Sequence, residues 1–217
     1  MKRLTLSFDN GPSPDTTPQV LAELGRRGIS AYFFVVGRQL AKPGGVALAQ
    51  RARNEGHIVA NHSMTHSVPL GLSGELDHVE VEIEQTERLL SEAGLAPQPP
   101  IFRPFGLGGQ LGSHLLSDAA RDHLQEHGYT VVLWNSVPRD WEDTVTWPVA
   151  AAADVERHDH TVMVLHDLPT GAMAQLPEFL DSMMDRGVEF TLDLPKMCVP
   201  MRAGEPSPTL VDFVAAN

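Results

Sequence analysis

The sequence predicts an α/β fold, a distorted (β/α) barrel of about seven strands related to the eight-stranded barrels. Short apolar runs with strand character alternate with amphipathic helical stretches along most of the chain. With 217 residues, 42% of them hydrophobic and 20% charged, the chain suits one domain with a sizeable core. The third observation favours a closed barrel over an open sheet. Asp9, His62, Arg103, Asp140 and His166 each follow a different strand, and groups from many strand ends converge at the mouth of a barrel.

The first strand covers residues 3–8, where Leu4, Leu6 and Phe8 alternate with polar residues. Gly11-Pro12 stops it and leaves Asp9 and Asn10 at its carboxyl end. A helix start over 13–18 leads through Val20, Leu21 and Leu24 to Gly28. Residues 29–36 form a buried strand closed by Gly37, and a helix near 44–55 ends at Gly56. A short strand at 57–60 then delivers Asn61-His62-Ser63-Met64-Thr65-His66. Residues 74–93 read as an acidic helix with Leu76, Val79, Ile83, Leu89 and Leu90 on its apolar face.

Pro97, Pro99 and Pro100 end that helix, and a fourth strand spans 101–103. A loop rich in glycine (106, 108, 109 and 112) runs into a helix at 114–127. The fifth strand covers 129–134, followed by a polar, aromatic loop from Asn135 to Trp147 and a helix at 148–158. The sixth strand, 162–165, ends at His166-Asp167, with a last helix at 173–186 and a strand at 188–192. The domain is read as residues 1–194, with a proline-rich extension, 195–217, packed on it and extended over its surface from Pro195 to Pro208.

Composition narrows the function classes. The net charge of −12, with no basic run, argues against nucleic acid as a partner. No stretch of about 18 apolar residues supports a membrane span, so no membrane is expected. Cys198 is the single cysteine, which excludes an internal disulfide and suits a reducing compartment. Met1-Lys2-Arg3 runs into a strand and not into an apolar signal core, so a cytoplasmic location is expected.

The residue types suggest a metal centre. His62 and His66 are four apart, a spacing that puts both on one side of a helical turn. An acidic strand end plus such a pair is a way to hold a divalent ion. Taken singly, each candidate has a plainer reading: Asp9 as a turn former, Arg103 and Asp140 as ion-pair members, Trp141 as a core aromatic. His57, His114, His123, His127, His158 and His160 are read as structural or solvated.

Five motifs in order make the chain resemble the polysaccharide deacetylase family, the NodB-type carbohydrate esterases of family 4. Ser7-Phe8-Asp9-Asn10-Gly11-Pro12 is similar to that family's Thr-Phe-Asp-Asp-Gly-Pro, and His62 to His66 matches its His-Ser/Thr-x-x-His. Phe102-Arg103-Pro104-Phe105-Gly106, Arg139-Asp140-Trp141 and Leu165-His166-Asp167 resemble its third, fourth and fifth motifs. The resemblance implies a hydrolase that removes acetyl groups, chiefly N-acetyl, from a carbohydrate such as an acetylated amino-sugar oligosaccharide or precursor. It implies Asp9 as base, His166 as acid, Arg103 orienting Asp9 and Asp140 tuning His166. It places a divalent metal, zinc or cobalt, on Asn10, His62 and His66. Phe105, Gly106, Trp141 and Leu165 are the implied pocket, with a backbone N–H near Phe105 aiding the oxyanion.

Three departures stand out. Asn10 occupies the family's metal-binding aspartate position, so the site loses a charged ligand and its metal affinity should weaken. The third motif is one residue short, and Val137 stands where an aspartate is frequent. Two other readings therefore stay open: a hydrolase of another C–N amide bond with little or no metal, and a catalytically silent sugar-binding member.

Overall fold

A computed structural model describes residues 1–216 of the chain. Strand β1, Arg3–Asp9, is buried from Leu4 onward and sits at the centre of a mixed sheet. It pairs in parallel with β2, Tyr32–Val35, on one side and β6, His160–His166, on the other. Beyond β2 follow β3 (Ile58–Asn61), β4 (Ile101–Phe102) and β5 (Thr130–Val131), all parallel. Residues Glu189–Phe190 form β7, which pairs with the start of β1.

Alternation along β1 divides two environments. Leu4, Leu6 and Phe8 face the outer layer of helices, among them α1 (Thr17–Arg27) and two described below. Thr5, Ser7 and Asp9, all buried, point the other way and make their polar contacts across the sheet interior. The outer layer continues with a short turn of helix α2 (Gly37–Leu40), α3 (Gly45–Asn54), α4 (Gln85–Glu92) and α5 (Asp118–Glu126). It ends with α6 (Trp147–Arg157) and α7 (Leu176–Asp185), whose Trp147, Phe179 and Leu180 pack on the β1 face.

The ring closes by a minimal contact. Ser136, just past β5, makes a single parallel bridge to Met163 of β6. Asn135 and Ser136 N–H groups both donate to the Val162 carbonyl at 3.2 Å. Strands β4 and β5 are shorter than expected because proline flanks β4 on both sides, at Pro100 and Pro104, and proline lacks the ladder N–H.

Two expectations need correcting. Residues 74–77 are not helical, Leu76 is fully exposed, and a π-helical turn at Glu80–Glu84 leads into α4. The proline-rich tail does not simply lie over the surface. It adds β8 (Met201–Arg202), antiparallel to β5, and β9 (Glu205–Pro206), antiparallel to β8, and buries Cys198, Val199, Met201 and Leu210. Apolar residues spaced between the prolines give that tail enough burial to order it. Among the described residues no helix is long and apolar enough to cross a membrane.

Candidate active site

Asp9 and His166 are register partners at the carboxyl ends of β1 and β6, so adjacency in the sheet sets them side by side. They open onto one cavity of about 320 Å³, which His62, His66 and Asn10 also line. Each of the first two is held by a buried partner. Arg103 donates from Nη1 to Asp9 Oδ1 at 2.8 Å and to Ser7 Oγ at 2.6 Å. Its guanidinium is wholly buried and lies 3.8 Å from the Phe34 ring centroid, so packing and charge both fix it.

On the other side, Asp140 accepts from His166 Nδ1 at 2.8 Å and from the His166 backbone N–H at 3.0 Å. Burial disfavours the charged imidazole of His166, but the Asp140 hydrogen bond and the charges of Asp140, Asp9 and Asp167 outweigh it. The His166 pKa is therefore raised above the ordinary 6.5. The Trp141 ring stands edge-on to His166 with centroids 4.8 Å apart.

The pair His62 and His66 does not sit on a helical turn. The loop after β3 carries positive φ at Ser63 (67°) and His66 (53°). Side chains take the place of helical hydrogen bonds there. Asn61 Oδ1 accepts from the Ser63 N–H, and Glu82 Oε2 accepts from the Met64 and Thr65 N–H groups. The loop still brings the two imidazoles together, with centroids 4.8 Å apart, and Phe105 stacks 3.9 Å from His66. Burial, with the nearby Arg103 and His166 charges, pushes His62 down to about 3. His66 is likewise lowered to about 3 by burial, His62 and His166.

These facts test whether a divalent ion fits. His62 Nδ1 lies 2.8 Å from the Arg103 carbonyl, which can only accept, so the proton is on Nδ1 and the lone pair on Nε2. That lone pair faces Asp9 Oδ2 at 3.5 Å. Since His62 is neutral, this contact sets two acceptors against each other and is not an ion pair. Asn10, held at φ 73°, has a buried Oδ1 with no hydrogen-bond partner. Convergent lone pairs without donors suit a cation, so the donor set fits. Among the described residues no group of three or more His, Cys, Asp or Glu is arranged to hold a metal, because the third position is Asn10.

Of the other expected residues, Phe105, Gly106 and Trp141 line the cavity, while Arg103 and Asp140 lie behind it. Leu165 is the exception. It pairs with Phe8 and packs in the outer core, since its strand neighbours Val164 and His166 face inward. Val164 and Leu168 line the wall instead, with Trp134, Val137, Gly108 and Gly109. Reading the sequence did not single out Asp167 or Glu82. Asp167 is wholly buried, accepts from Thr17 Oγ, and is raised to about 6 chiefly by burial. Its carboxylate explains Gly11: a Cβ there would lie 2.3 Å from both Asp167 oxygens. A carboxylate next to His166 was a usable sign, whereas nothing in the sequence marked Glu82.

Comparison with known proteins identifies the family and the fold. The family model described as Polysaccharide deacetylase matches residues 1–132. A chitooligosaccharide deacetylase of Rhizobium leguminosarum bv. trifolii is 31% identical over 76% of this chain and 72% of its own length. A peptidoglycan-N-acetylglucosamine deacetylase of Listeria monocytogenes is 28% identical over 88% of this chain, which spans only 38% of that relative. Among solved structures, a family 4 carbohydrate esterase from Streptomyces lividans in complex with acetate superposes with a TM-score of 0.72 at 27% identity, covering 95% of this chain and 98% of that one. A family 4 acetyl xylan esterase from Clostridium thermocellum, in complex with a cobalt ion, gives 0.67 at 27% identity, with 88% and 87% covered. The fold is thus one shared with these proteins, and the chain belongs to the polysaccharide deacetylase family.

Proposed function

We propose that this chain hydrolyses the acetyl group, chiefly N-acetyl, of an amino-sugar oligosaccharide. The observation that carries the reading is a pair of groups held side by side on one cavity: Asp9 fixed by Arg103, and His166 bound to Asp140, which favours its protonated form. Asp9 takes a proton from the attacking water, with one oxygen pinned by Arg103 and the other turned toward His62. His166 gives a proton to the departing nitrogen, so the amine leaves neutral and the acyl group leaves as acetate. Its bond to Asp140 keeps the donating Nε2 side aimed away from the protein wall.

His62, His66 and Asn10 would hold a divalent ion, zinc or cobalt, which supplies Lewis-acid polarisation of the carbonyl and activation of water. With two neutral imidazoles and an amide oxygen, the site binds that ion weakly compared with one containing a carboxylate. The relatives named for peptidoglycan and chitooligosaccharide substrates support a β-linked N-acetylglucosamine chain as the substrate class. A cytoplasmic location belongs to the same reading and is checked by cell fractionation. Acetate release from N-acetylglucosamine oligomers, measured alongside metal content, tests the function. Acetate release that requires His166 supports it; binding of the oligomers without release makes the chain a silent sugar-binding member.

A further inference from the structure

The cavity is larger and more apolar than an acetyl group requires. Its polar side chains are Asp9, Asn10, His62, His66 and His166; Phe105 stands 3.9 Å from His66 and Trp141 4.8 Å from His166, while Trp134 and Val137 lie against Gly106 and Gly109. The rest of the wall is Phe105, Trp134, Val137, Trp141, Val164 and Leu168, with the backbone of the glycine-rich loop. A volume of about 320 Å³ is about ten times the ~30 Å³ share of one water molecule, whereas an acetyl methyl fills little more than one such share.

Several polar atoms of that wall around Trp134 and the glycine-rich loop are already engaged. Trp134 Nε1 donates to the Gly109 carbonyl at 2.9 Å. The Gly106 carbonyl accepts from the Gly109 N–H at 3.1 Å, and the Gly108 carbonyl from Arg139 Nη1 at 3.3 Å. The loop also has no slack. A Cβ at Gly106 would lie 2.7 Å from the Trp134 ring, and one at Gly109 2.7 Å from Val137 Cγ1. A sugar ring pushed into this space would lose water from its hydroxyls and gain no partners. An alkyl chain loses nothing there. The sugar therefore stays at the mouth and the acyl group occupies the apolar end.

From this we infer that the chain is an N-acyl hydrolase whose pocket takes acyl groups longer than acetyl, with a short straight chain such as butyryl seated between Trp134, Val137 and Val164. The inference rests on the proposed amide hydrolysis and sharpens its substrate class. Water adds across the amide C–N bond, the carbonyl carbon gains the hydroxyl, and the nitrogen gains the proton, giving a free amine and butyrate.

The test uses chitotriose carrying N-acetyl, N-propionyl or N-butyryl groups, with the purified protein supplied with zinc or cobalt, and follows the released carboxylate. The expected kcat/KM rises about fourfold with each methylene through butyryl, the factor for burying one methylene in an apolar site. Val137→Asp should cut the butyryl-to-acetyl ratio by about tenfold, and the isosteric Val137→Thr should lower it in the same direction. Acetate release with a flat or falling profile at propionyl overturns the inference and leaves the deacetylase reading standing. No carboxylate from any of the three overturns that reading, and the inference with it.

Discussion

Three imidazoles line one cavity, and the protein treats them in opposite ways. His62 and His66 are pushed down to about 3, while His166 is raised above 6.5. All three are largely buried, so desolvation alone would lower every one of them. The neighbours decide. His62 gives its Nδ1 proton to a carbonyl and lies near the Arg103 charge, whereas His166 gives its own to the Asp140 carboxylate. A neutral pair suits ligation and an imidazole with a raised pKa suits proton donation, so the site's division of labour follows from which group accepts each Nδ1–H.

The comparison is broken most directly at the imidazole whose pKa is raised. His166→Ala should lower acetate release by about two to four orders of magnitude, with unchanged circular dichroism, and Asp9→Asn should act similarly from the opposite side. Near-native turnover in either variant removes that residue from the reaction. Next in size is the buried cation that sets the potential at the neutral pair. Arg103→Met leaves Asp9 without its 2.8 Å partner and should destabilise the fold by about 3–5 kcal/mol in urea unfolding. A loss under about 1 kcal/mol would show that solvent reaches Asp9 freely.

The pH dependence of stability sharpens the contrast without removing the cavity's charges. The folded pKa of His62 and of His66, about 3, lies below the ordinary 6.5, so below pH 6.5 the unfolded chain takes up protons that the folded chain refuses. Stability on their account is lost as pH falls from 6.5 toward 3. Asp167 has the reverse sign: its folded pKa of about 6 lies above 3.8, so it favours the folded state as pH falls through that range. His166, raised in the folded state, contributes fully below 6.5 and loses that contribution as pH rises through its folded value. His57, His123 and His160 are lowered as well, so they act near pH 5 in the same direction as His62 and His66, against Asp167 and Glu87. Chelator-treated protein should therefore lose stability as pH falls there, and His62→Gln should make that slope shallower, by on the order of 1 kcal/mol per pH unit. A slope unchanged by His62→Gln would mean His62 is protonated in the folded protein.

The smallest expected effect concerns position 10. Asn10→Asp places a carboxylate where a buried amide oxygen lacks a partner, and should tighten zinc or cobalt by about tenfold or more, about 1.4 kcal/mol. Titration calorimetry on both proteins reads it. Equal affinities would mean that position 10 does not face the ion.

Much of this site was legible from local pattern. Leu4, Leu6 and Phe8 set the face of the first strand, and Gly11-Pro12 set its end, because side-chain alternation and turn chemistry act over a few residues. The five motifs named Asp9, His62, His66, Arg103, Asp140 and His166, all of which the fold brings to one cavity or directly behind it. Spacing misled at His62 and His66: a separation of four resembles a helix, but Asn61 and a glutamate sixteen residues beyond His66 bind the loop into another shape.

What the sequence by itself determined is therefore the order of strands and helices, the residues at the strand ends, and the family. Only the tertiary structure decided which side of β6 meets the cavity, which sends Leu165 outward and Val164 in. It also decided that Asp167 leaves no room beside Gly11, that the proline-rich tail extends the sheet at β5, and that the three histidines shift in opposite directions. Periodicity is a property of neighbours along the chain, so it survives in the sequence. Burial, hydrogen-bond partners and electrostatic potential depend on groups as distant as Ser7 and Arg103, and exist only once the barrel has closed.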